Sequence, residues 1–345
     1  MVKEQNSKSC SSIKEEDHEE LNKETLEKQL QALPRENGWD GASLYLYKGF
    51  WCPSFAIRGV ISSQTHFKAH EADIVLATIP KSATTWLKAL IFSIVNRNRY
   101  KPEDNPLLKA SPHDLVRFLE IDHYLNGAPD QNLDQLPQPR IFATHLPYAS
   151  LPPSIKESKC RIVYACRNPL DNFVSFWHFV QMLEREDMQN ILPIDEAYEK
   201  YCHGYYGYGP FWDHILGFWN MSLKEPEKVL FMKYEDLKGD VITQLKMLAN
   251  FLGFSFTVEE EEGGTIEEIA NLCSFENLKN LEANQKSSRR NNFGAPMNSF
   301  FRKGEVGDYV NHLTPSMVEN MKKLIEEKLA GSDLIFEASS IIPKK

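Results

Sequence analysis

The sequence lacks the features that mark exported, membrane-spanning and metal-binding proteins. Its N-terminal segment has no apolar core of the kind a signal peptide needs, and no stretch approaches about 18 uninterrupted apolar residues. Six cysteines are scattered without a Cys-x-x-Cys pair or a neighbouring histidine cluster. This spacing favours neither a zinc site nor a disulfide framework. We therefore expect a cytosolic protein with reduced thiols and no bound metal.

An excess of basic residues is also missing. The 345 residues include 39 basic and 48 acidic side chains, a formal net charge of −9. This balance argues against a nucleic-acid-binding or membrane-binding surface, and it leaves the oligomeric state undecided. Any anionic small molecule must therefore meet cations that the fold gathers locally.

The composition divides the chain into an arm and a folded body. Residues 1–25 are polar, acidic and nearly free of aromatic residues, so burial cannot offset the entropy of ordering them. The chain as a whole is 42% hydrophobic, enough for a substantial core. We predict a disordered acidic arm over residues 1–25 and one domain over residues 26–345.

Short apolar runs in the body predict buried strands, each followed by a polar residue. The runs are Ile74–Ile79, Ile141–Thr144, Arg161–Cys166 and Val229–Met232. Amphipathic segments between and after them, such as Trp86–Val95 and Val241–Leu252, indicate helices. The alternation predicts an α/β domain with a mostly parallel, doubly wound sheet flanked by helices. Ligands of such sheets bind beyond the carboxyl ends of the strands.

The first of these strands leads through a tight loop into a helix. Unpaired backbone N–H groups and the helix dipole favour an anion at such a helix start, and Lys81, Thr84 and Thr85 are placed to assist. The segment therefore predicts a P-loop-like phosphate site, although a plain helix cap with a solvated lysine is the alternative. The string Gly-x-x-x-x-Gly-Lys-Ser/Thr does not occur, which argues against phosphoryl transfer from ATP.

Three motifs carry a resemblance to a known family. Pro80–Trp86 resembles the 5'-phosphosulfate loop Pro-Lys-Ser-Gly-Thr-Thr-Trp of the cytosolic sulfotransferases. The segment Cys166–Phe179 and the later Arg302-Lys303-Gly304-x-x-Gly-Asp string are similar to the family's two 3'-phosphate elements. The resemblance runs from about residue 38 to 334 and implies 3'-phosphoadenosine-5'-phosphosulfate (PAPS) as co-substrate. The nucleotide-binding residues it implies are Lys81, Ser82, Ala83, Thr84, Thr85, Trp86, Arg167, Ser175, Tyr234, Ser274, Phe275, Phe301, Arg302, Lys303 and Gly304.

Two of these assignments have structural alternatives. The resemblance implies that Arg167, with Ser175, binds the 3'-phosphate, but an arginine here could instead pair with Asp171. It also implies that Phe275 opposes Trp86 across the adenine, whereas an aromatic residue is by default part of the core.

The chemistry implied is an in-line displacement at sulfur. His145, after the second strand, matches the family's catalytic histidine, and an ordinary imidazole pKa of about 6.5 suits a base that deprotonates an acceptor hydroxyl. Lys81 would stabilise the negative charge that builds on the leaving bridging oxygen. Neither role requires a metal.

The acceptor is less well defined by the sequence. The motifs look most like those of plant members, which implies a brassinosteroid, hydroxyjasmonate, flavonol or desulfoglucosinolate acceptor. We favour a steroid-type alcohol. Aromatic residues should line the acceptor pocket, and the candidates are Tyr124, Tyr205, Tyr206, Tyr208 and Phe211.

Several positions depart from the family pattern. Ala83 replaces the loop glycine, Ala143 and Leu170 stand where lysines are usual, Tyr309 replaces a tryptophan, and the family's short dimerisation motif is not recognisable. If position 83 needs a positive φ, alanine strains the loop. A second hypothesis is therefore a nucleotide- or ligand-binding protein with low turnover, and a third is a nucleotide kinase.

Overall fold

The computed structural model describes residues 27–126, 132–183, 191–285, 290, 292 and 294–336. The predicted disordered arm, residues 1–25, lies outside the described residues. A helical segment covers residues 27–32.

Ahead of the parallel sheet, the chain forms a small antiparallel sheet that the sequence analysis did not predict. Strands β1 (Arg35–Asn37), β2 (Ser43–Tyr47) and β3 (Phe50–Pro53) pair in the order β1-β2-β3. Gly49 joins β2 to β3 with a φ of 87°, a turn conformation that glycine adopts without strain. The backbone N–H of Trp51 donates to the carbonyl of Gly209, which attaches this sheet to the rest of the domain.

The central sheet has the predicted class and closely matches the predicted boundaries. Its four strands are β4 (Ile74–Thr78), β5 (Ile141–Thr144), β6 (Arg161–Cys166) and β7 (Val229–Lys233). All pair in parallel, in the order β5-β4-β6-β7. Every residue of β4 is buried, as expected for a strand covered on both faces. Because the strands are parallel, their carboxyl ends meet at one edge.

Helices cover both faces of this sheet. The predicted helices over Trp86–Val95 and Val241–Leu252 are confirmed as Thr84–Asn96 and Val241–Phe251. The remaining α-helices are Ile57–His66, Pro112–Leu115, Pro153–Glu157, Pro169–Val180, Ile194–Cys202, Phe211–Lys224, Tyr234–Gly239, Val258–Glu262, Thr265–Leu272, Phe275–Asn280, Glu282–Gln285 and Pro315–Lys328. Among the described residues, no helix is both long and apolar enough to span a bilayer.

The core consists of two apolar clusters, one on each face of the sheet. Val75 and Ala77 of β4 pack into one cluster, whereas Ile74 and Leu76 pack into the other. This alternation follows from the two-residue period of a strand. The two layers pack against the sheet from both sides, and the polar residues that follow its strands share one cavity.

Candidate active site

The loop between β4 and its following helix has an unusual backbone. Lys81 has a φ of 67° and Ala83 a φ of 65°, both in the left-handed region. Ala83 is the cap residue of the helix Thr84–Asn96 and makes no side-chain capping bond. Position 83 therefore does require a positive φ. For an L-residue with a Cβ this conformation costs about 1 kcal/mol.

Asn172 holds the loop from the neighbouring helix. Its side-chain amide donates to the carbonyl of Pro80 at 2.7 Å and to Oγ of Ser82 at 3.1 Å, and Tyr201 donates to its Oδ1 at 3.1 Å. The Ser82 side chain is fully buried in this network and does not line the cavity. The Ser82 side chain thus supports the loop from behind, and the nucleotide-binding role that the resemblance implies for this residue stays a prediction.

His145 lies at the end of β5 with a defined tautomer. Its Nδ1 is 2.8 Å from the carbonyl oxygen of Thr78, which can only accept a hydrogen bond, so Nδ1 carries the ring proton. The Thr78 hydroxyl lies 3.2 Å from the same nitrogen and 2.7 Å from the Thr84 hydroxyl. Nε2 consequently keeps its lone pair, and the residue lines the cavity.

Glu120 fixes the backbone at His145. One carboxylate oxygen accepts from the His145 backbone N–H at 2.8 Å, and the other accepts from the Thr144 hydroxyl at 2.9 Å. From the opposite side, His214 donates through Nε2 to the His145 carbonyl at 2.9 Å. Burial raises the pKa of Glu120 to about 7 despite these hydrogen bonds.

Burial lowers the pKa of His145 to about 3, more than the hydrogen bond to Thr78 raises it. The buried Lys88 and Lys81 add to the shift by charge repulsion. The ordinary imidazole pKa that the sequence analysis assumed therefore does not apply to this site. His145 is neutral throughout the physiological pH range.

Lys81 extends into the same cavity. Its ammonium lies 4.0 Å from the centroid of the Phe179 ring and 5.6 Å from that of Phe300, and no carboxylate among the described residues forms an ion pair with it. Burial, with repulsion from Arg167 and Arg302, lowers the pKa of Lys81 to about 7. A bound anion would reverse this shift.

Arg167 contacts Asp171, which is the structural alternative to phosphate binding that the sequence left open. Its guanidinium is 3.4 Å from a carboxylate oxygen of Asp171, donates to the carbonyl of Glu305, and stacks 4.5 Å over the Tyr234 ring. Its Nε is buried without a hydrogen-bond partner among the described residues, and both it and Ser175 line the cavity. The arginine thus has an Asp171 contact and a donor left over.

The segment Arg302-Lys303-Gly304 lines the same cavity as Lys81 and Arg167. Arg302 and Lys303 contact opposite oxygens of the buried Asp308 at 2.6 and 2.5 Å. Burial alone would raise the pKa of Asp308, but the hydrogen bonds from Lys303, Asn311 and Arg302 hold it well below the usual range. A Cβ on Gly304, which has a φ of 68°, would come within 2.6 Å of the Phe275 ring. The glycine lets the chain pass close to that ring.

One cavity joins these groups. Its cationic end contains Arg167, Arg302, Lys303 and Lys238. The predicted nucleotide residues that line the cavity, together with His145, are Lys81, Ala83, Thr84, Thr85, Trp86, Arg167, Ser175, Tyr234, Ser274, Phe275, Phe301, Arg302, Lys303 and Gly304. Only Ser82 of the predicted set is turned away. Motifs from distant parts of the chain therefore meet in one place.

Beyond His145 the lining becomes aromatic. Of the five predicted acceptor residues, Tyr206 and Tyr208 line this part, and the Tyr208 ring centroid is 5.2 Å from that of His145. The structure does not bring Tyr124, Tyr205 and Phe211 to the cavity lining. Each packs against another aromatic ring instead, Phe67, Trp51 and Trp212 respectively.

Sequence reasoning missed most of this aromatic end. Its unpredicted lining residues include Trp39, Phe55, Phe118, Ile121 and Phe176. Trp39 packs on Phe176 at 5.2 Å and on Tyr206 at 5.7 Å, and Phe118 lies 4.6 Å from the His145 ring. The sequence feature that could have indicated this lining is the aromatic-rich segment from Trp39 to Phe55. Within the described ranges, no cluster of His, Cys, Asp or Glu could hold a metal ion.

Comparison with known proteins identifies the class. Residues 71–333 match the family model described as "Sulfotransferase domain". Cytosolic sulfotransferase 15 of Arabidopsis thaliana is 50% identical over 320 residues, 91% of this chain and 88% of that protein. Cytosolic sulfotransferase 14 of the same plant is 50% identical over 322 residues, 91% of each.

Two solved sulfotransferase structures are similar to this chain over most of its length. An Arabidopsis thaliana putative steroid sulphotransferase superposes with a TM-score of 0.71 at 38% identity, covering 90% of this chain and 94% of that one. Mouse sulfotransferase SULT7A1 complexed with PAP gives a TM-score of 0.66 at 28% identity, covering 84% and 95%. The chain belongs to the sulfotransferase family. It is a PAPS-dependent enzyme of the plant-type cytosolic group, and its cavity fits an anionic nucleotide because the cations and the unpartnered Arg167 Nε face one space.

Proposed function

We propose that this enzyme transfers a sulfuryl group to the hydroxyl of an apolar, steroid-type alcohol, with His145 as general base. The observation that carries the proposal is the Nδ1 contact of His145 with the Thr78 carbonyl, which leaves Nε2 as an acceptor between the phosphate loop and the aromatic end. A base at this point faces both reactants. The acceptor O–H gives its proton to Nε2 as its oxygen bonds to sulfur and the sulfur–phosphate oxygen bond breaks.

A pKa of about 3 makes His145 a weak base in the free protein. The shift comes first from burial and then from the charges of Lys88 and Lys81, so the negative charge of a bound phosphosulfate opposes it. Lys81 sits in the loop that would hold this group, and its ammonium would stabilise the charge that builds on the leaving oxygen. His145 and Lys81 are therefore the assigned catalytic pair.

The 3'-phosphate is assigned to the cationic end. Arg167 contributes the unpartnered Nε. Ser175, on the helix Pro169–Val180 that follows Arg167, lines the same cavity. Arg302 and Lys303 line the cavity while they are hydrogen-bonded to Asp308. A bound phosphate would therefore contact side chains that Asp308 already holds in place. Trp86, Tyr234 and Phe275 offer ring surfaces for the adenine, with Trp86 and Tyr234 in edge contact at 6.1 Å.

The lining of the aromatic end supports a neutral, flat acceptor. Trp39, Phe118, Phe176 and Tyr206 present rings, and Asp40 is an acidic residue in the same cavity lining. A carboxylate-bearing acceptor such as a hydroxyjasmonate would meet aromatic rings and an acidic residue there, neither of which offers a partner to its carboxylate. The 38% identical neighbour named as a putative steroid sulphotransferase points the same way.

The test is mass spectrometry of the products formed with PAPS and a matched acceptor panel. The panel contains a brassinosteroid, a flavonol, a hydroxyjasmonate and a desulfoglucosinolate, each also incubated with PAP as a donor-free control. We expect the sulfated steroid to form with the highest kcat/KM. A higher kcat/KM for the hydroxyjasmonate would overturn the acceptor assignment but not the reaction, and phosphorylated products with magnesium-ATP would indicate a kinase.

A further inference from the structure

Three side chains behind the phosphate loop form a hydrogen-bonded chain that reaches the cavity. The Lys88 ammonium lies 3.2 Å from Nδ1 of His113, and Nε2 of His113 lies 2.9 Å from the Thr85 hydroxyl oxygen. Thr85 and Lys88 are three residues apart on the helix Thr84–Asn96, so they share one face. Thr85 and His113 line the cavity, whereas Lys88 is fully buried behind them.

The protonation of Lys88 determines which atom donates in each of these two hydrogen bonds. An ammonium can only donate, so Nδ1 of His113 must accept and the imidazole proton must sit on Nε2. The Nε2–H then donates to the Thr85 oxygen. Thr85 cannot direct its own hydrogen at Nε2, and its O–H is left to donate elsewhere. Its remaining surroundings include the cavity beside Lys81.

The site is built to hold a buried cation. The Lys88 ammonium lies 3.5 Å from the centroid of the Phe118 ring, a cation–π contact. Asp122, Glu120 and Asp114 provide longer-range attraction, although burial still lowers the pKa of Lys88 to about 7. A fully buried lysine without a carboxylate ion pair among the described residues is uncommon, and it is retained here next to a loop that would bind an anion.

We propose that Lys88 and His113 are positioning residues that hold the Thr85 hydroxyl hydrogen toward the 5'-phosphosulfate group. The inference rests on the proposed placement of that group at the loop. Lys88 lies behind the cavity lining, and His113 bonds to Thr85 at that lining. Both residues act through Thr85, whose O–H donates to a phosphosulfate oxygen once its own oxygen accepts from His113.

The test compares two nucleotides that differ at the 5' position. Calorimetry measures the affinity of PAP, which carries a 5'-phosphate, and of adenosine 3'-monophosphate, which does not. Lys88→Met keeps the volume but removes the donor, and we expect it to weaken PAP binding about tenfold, since the lost bond involves a charged group. Adenosine 3'-monophosphate should bind Lys88→Met and wild type equally, which also shows that the variant is folded. Lys88→Arg should restore part of the PAP affinity.

A double-mutant cycle separates positioning from a plain charge effect. If Lys88 acts through Thr85, Lys88→Met should have little further effect on PAP affinity in a Thr85→Val background. His113→Leu should behave as Lys88→Met does, and Ser93→Ala on the same helix should change neither affinity. Equal losses from Lys88→Met with and without Thr85 would overturn the inference. So would a wild type that does not distinguish the two nucleotides, and only that outcome would also overturn the proposed placement at the loop.

Discussion

The two ends of the cavity differ in how their residues are distributed along the chain. The cationic end draws on short consecutive strings, such as Arg302-Lys303-Gly304 and the loop around Lys81, in which neighbours act together. The aromatic end gathers single residues from separate segments, including Trp39, Phe118 and Phe176. A ligand with fixed charges can thus be recognised by local motifs, whereas a pocket for an apolar acceptor is a product of tertiary packing.

His145 lies where the two ends meet, and its replacement should give the largest effect. We expect His145→Ala to lower kcat about 1,000-fold, because a positioned base contributes roughly 10²- to 10⁴-fold. The affinity for PAP should stay within about twofold of wild type, since the imidazole faces the acceptor. Stopped assays with product detection give kcat and calorimetry gives the PAP affinity. Turnover near the wild-type rate would remove the base assignment.

Arg167→Met tests the cationic end alone. Loss of a charge-assisted contact to the 3'-phosphate should weaken PAP binding about 10- to 100-fold. Adenosine 5'-phosphosulfate, which lacks that phosphate, should bind the variant and wild type alike, and the acceptor KM should not change. Arg161→Met, at the start of β6 away from the cavity, is the matched control. An equal loss for both nucleotides would mean that Arg167 only supports Asp171.

The motif-based part of the site was predictable because it is local. The four strands of the central sheet and the loop after β4 have sequence patterns that require no knowledge of distant contacts, and the structure confirms the predicted strands. The pKa of His145 was not predictable, since its value of about 3 arises from burial among residues of other elements. The sequence also could not show which of two adjacent tyrosines lines the cavity. Tyr206 lines the cavity and Tyr205 does not, because the turn from Gly204 to Pro210 decides which side chain faces inward.

The shifted pKa values predict a pH profile unlike that of an ordinary histidine base. Lys81 has a pKa of about 7 in the free protein, so its charge is lost as the pH rises above that value. The kcat/KM for PAPS should therefore fall above pH 7 and at pH 8 lie about tenfold below its low-pH plateau. On the acid side no decrease centred on 6.5 should appear, because His145 stays deprotonated there. Lys81→Arg, which remains charged, should remove the part of the alkaline limb that belongs to Lys81. The remainder belongs to Lys88, whose pKa is also about 7. An acid limb at 6.5 would contradict the burial effect.

At the aromatic end, Phe176→Ala should affect the acceptor only. Phe176 lines the cavity and packs against Trp39 and Tyr206 at 5.2 and 5.8 Å. We expect the acceptor KM to rise about 5- to 10-fold through lost apolar contact, with the PAP affinity unchanged. Phe92→Ala is the matched control, because Phe92 is also partly buried on a helix but does not line the cavity. A similar KM change in both variants would reduce the effect to general destabilisation.

Ala83→Gly should give the smallest change, and it decides between an efficient enzyme and a weakly active binding protein. Ala83 has a φ of 65°, so glycine removes a strain of about 1 kcal/mol but adds backbone freedom to the unfolded loop. These contributions partly cancel, and we expect less than a fivefold gain in PAP affinity and little change in kcat. The loop is held by Asn172 whichever residue occupies position 83, because the bonds from Asn172 go to Pro80 and Ser82. A gain of 100-fold in kcat would show instead that alanine disables the loop, and the low-turnover hypothesis would then be the better account.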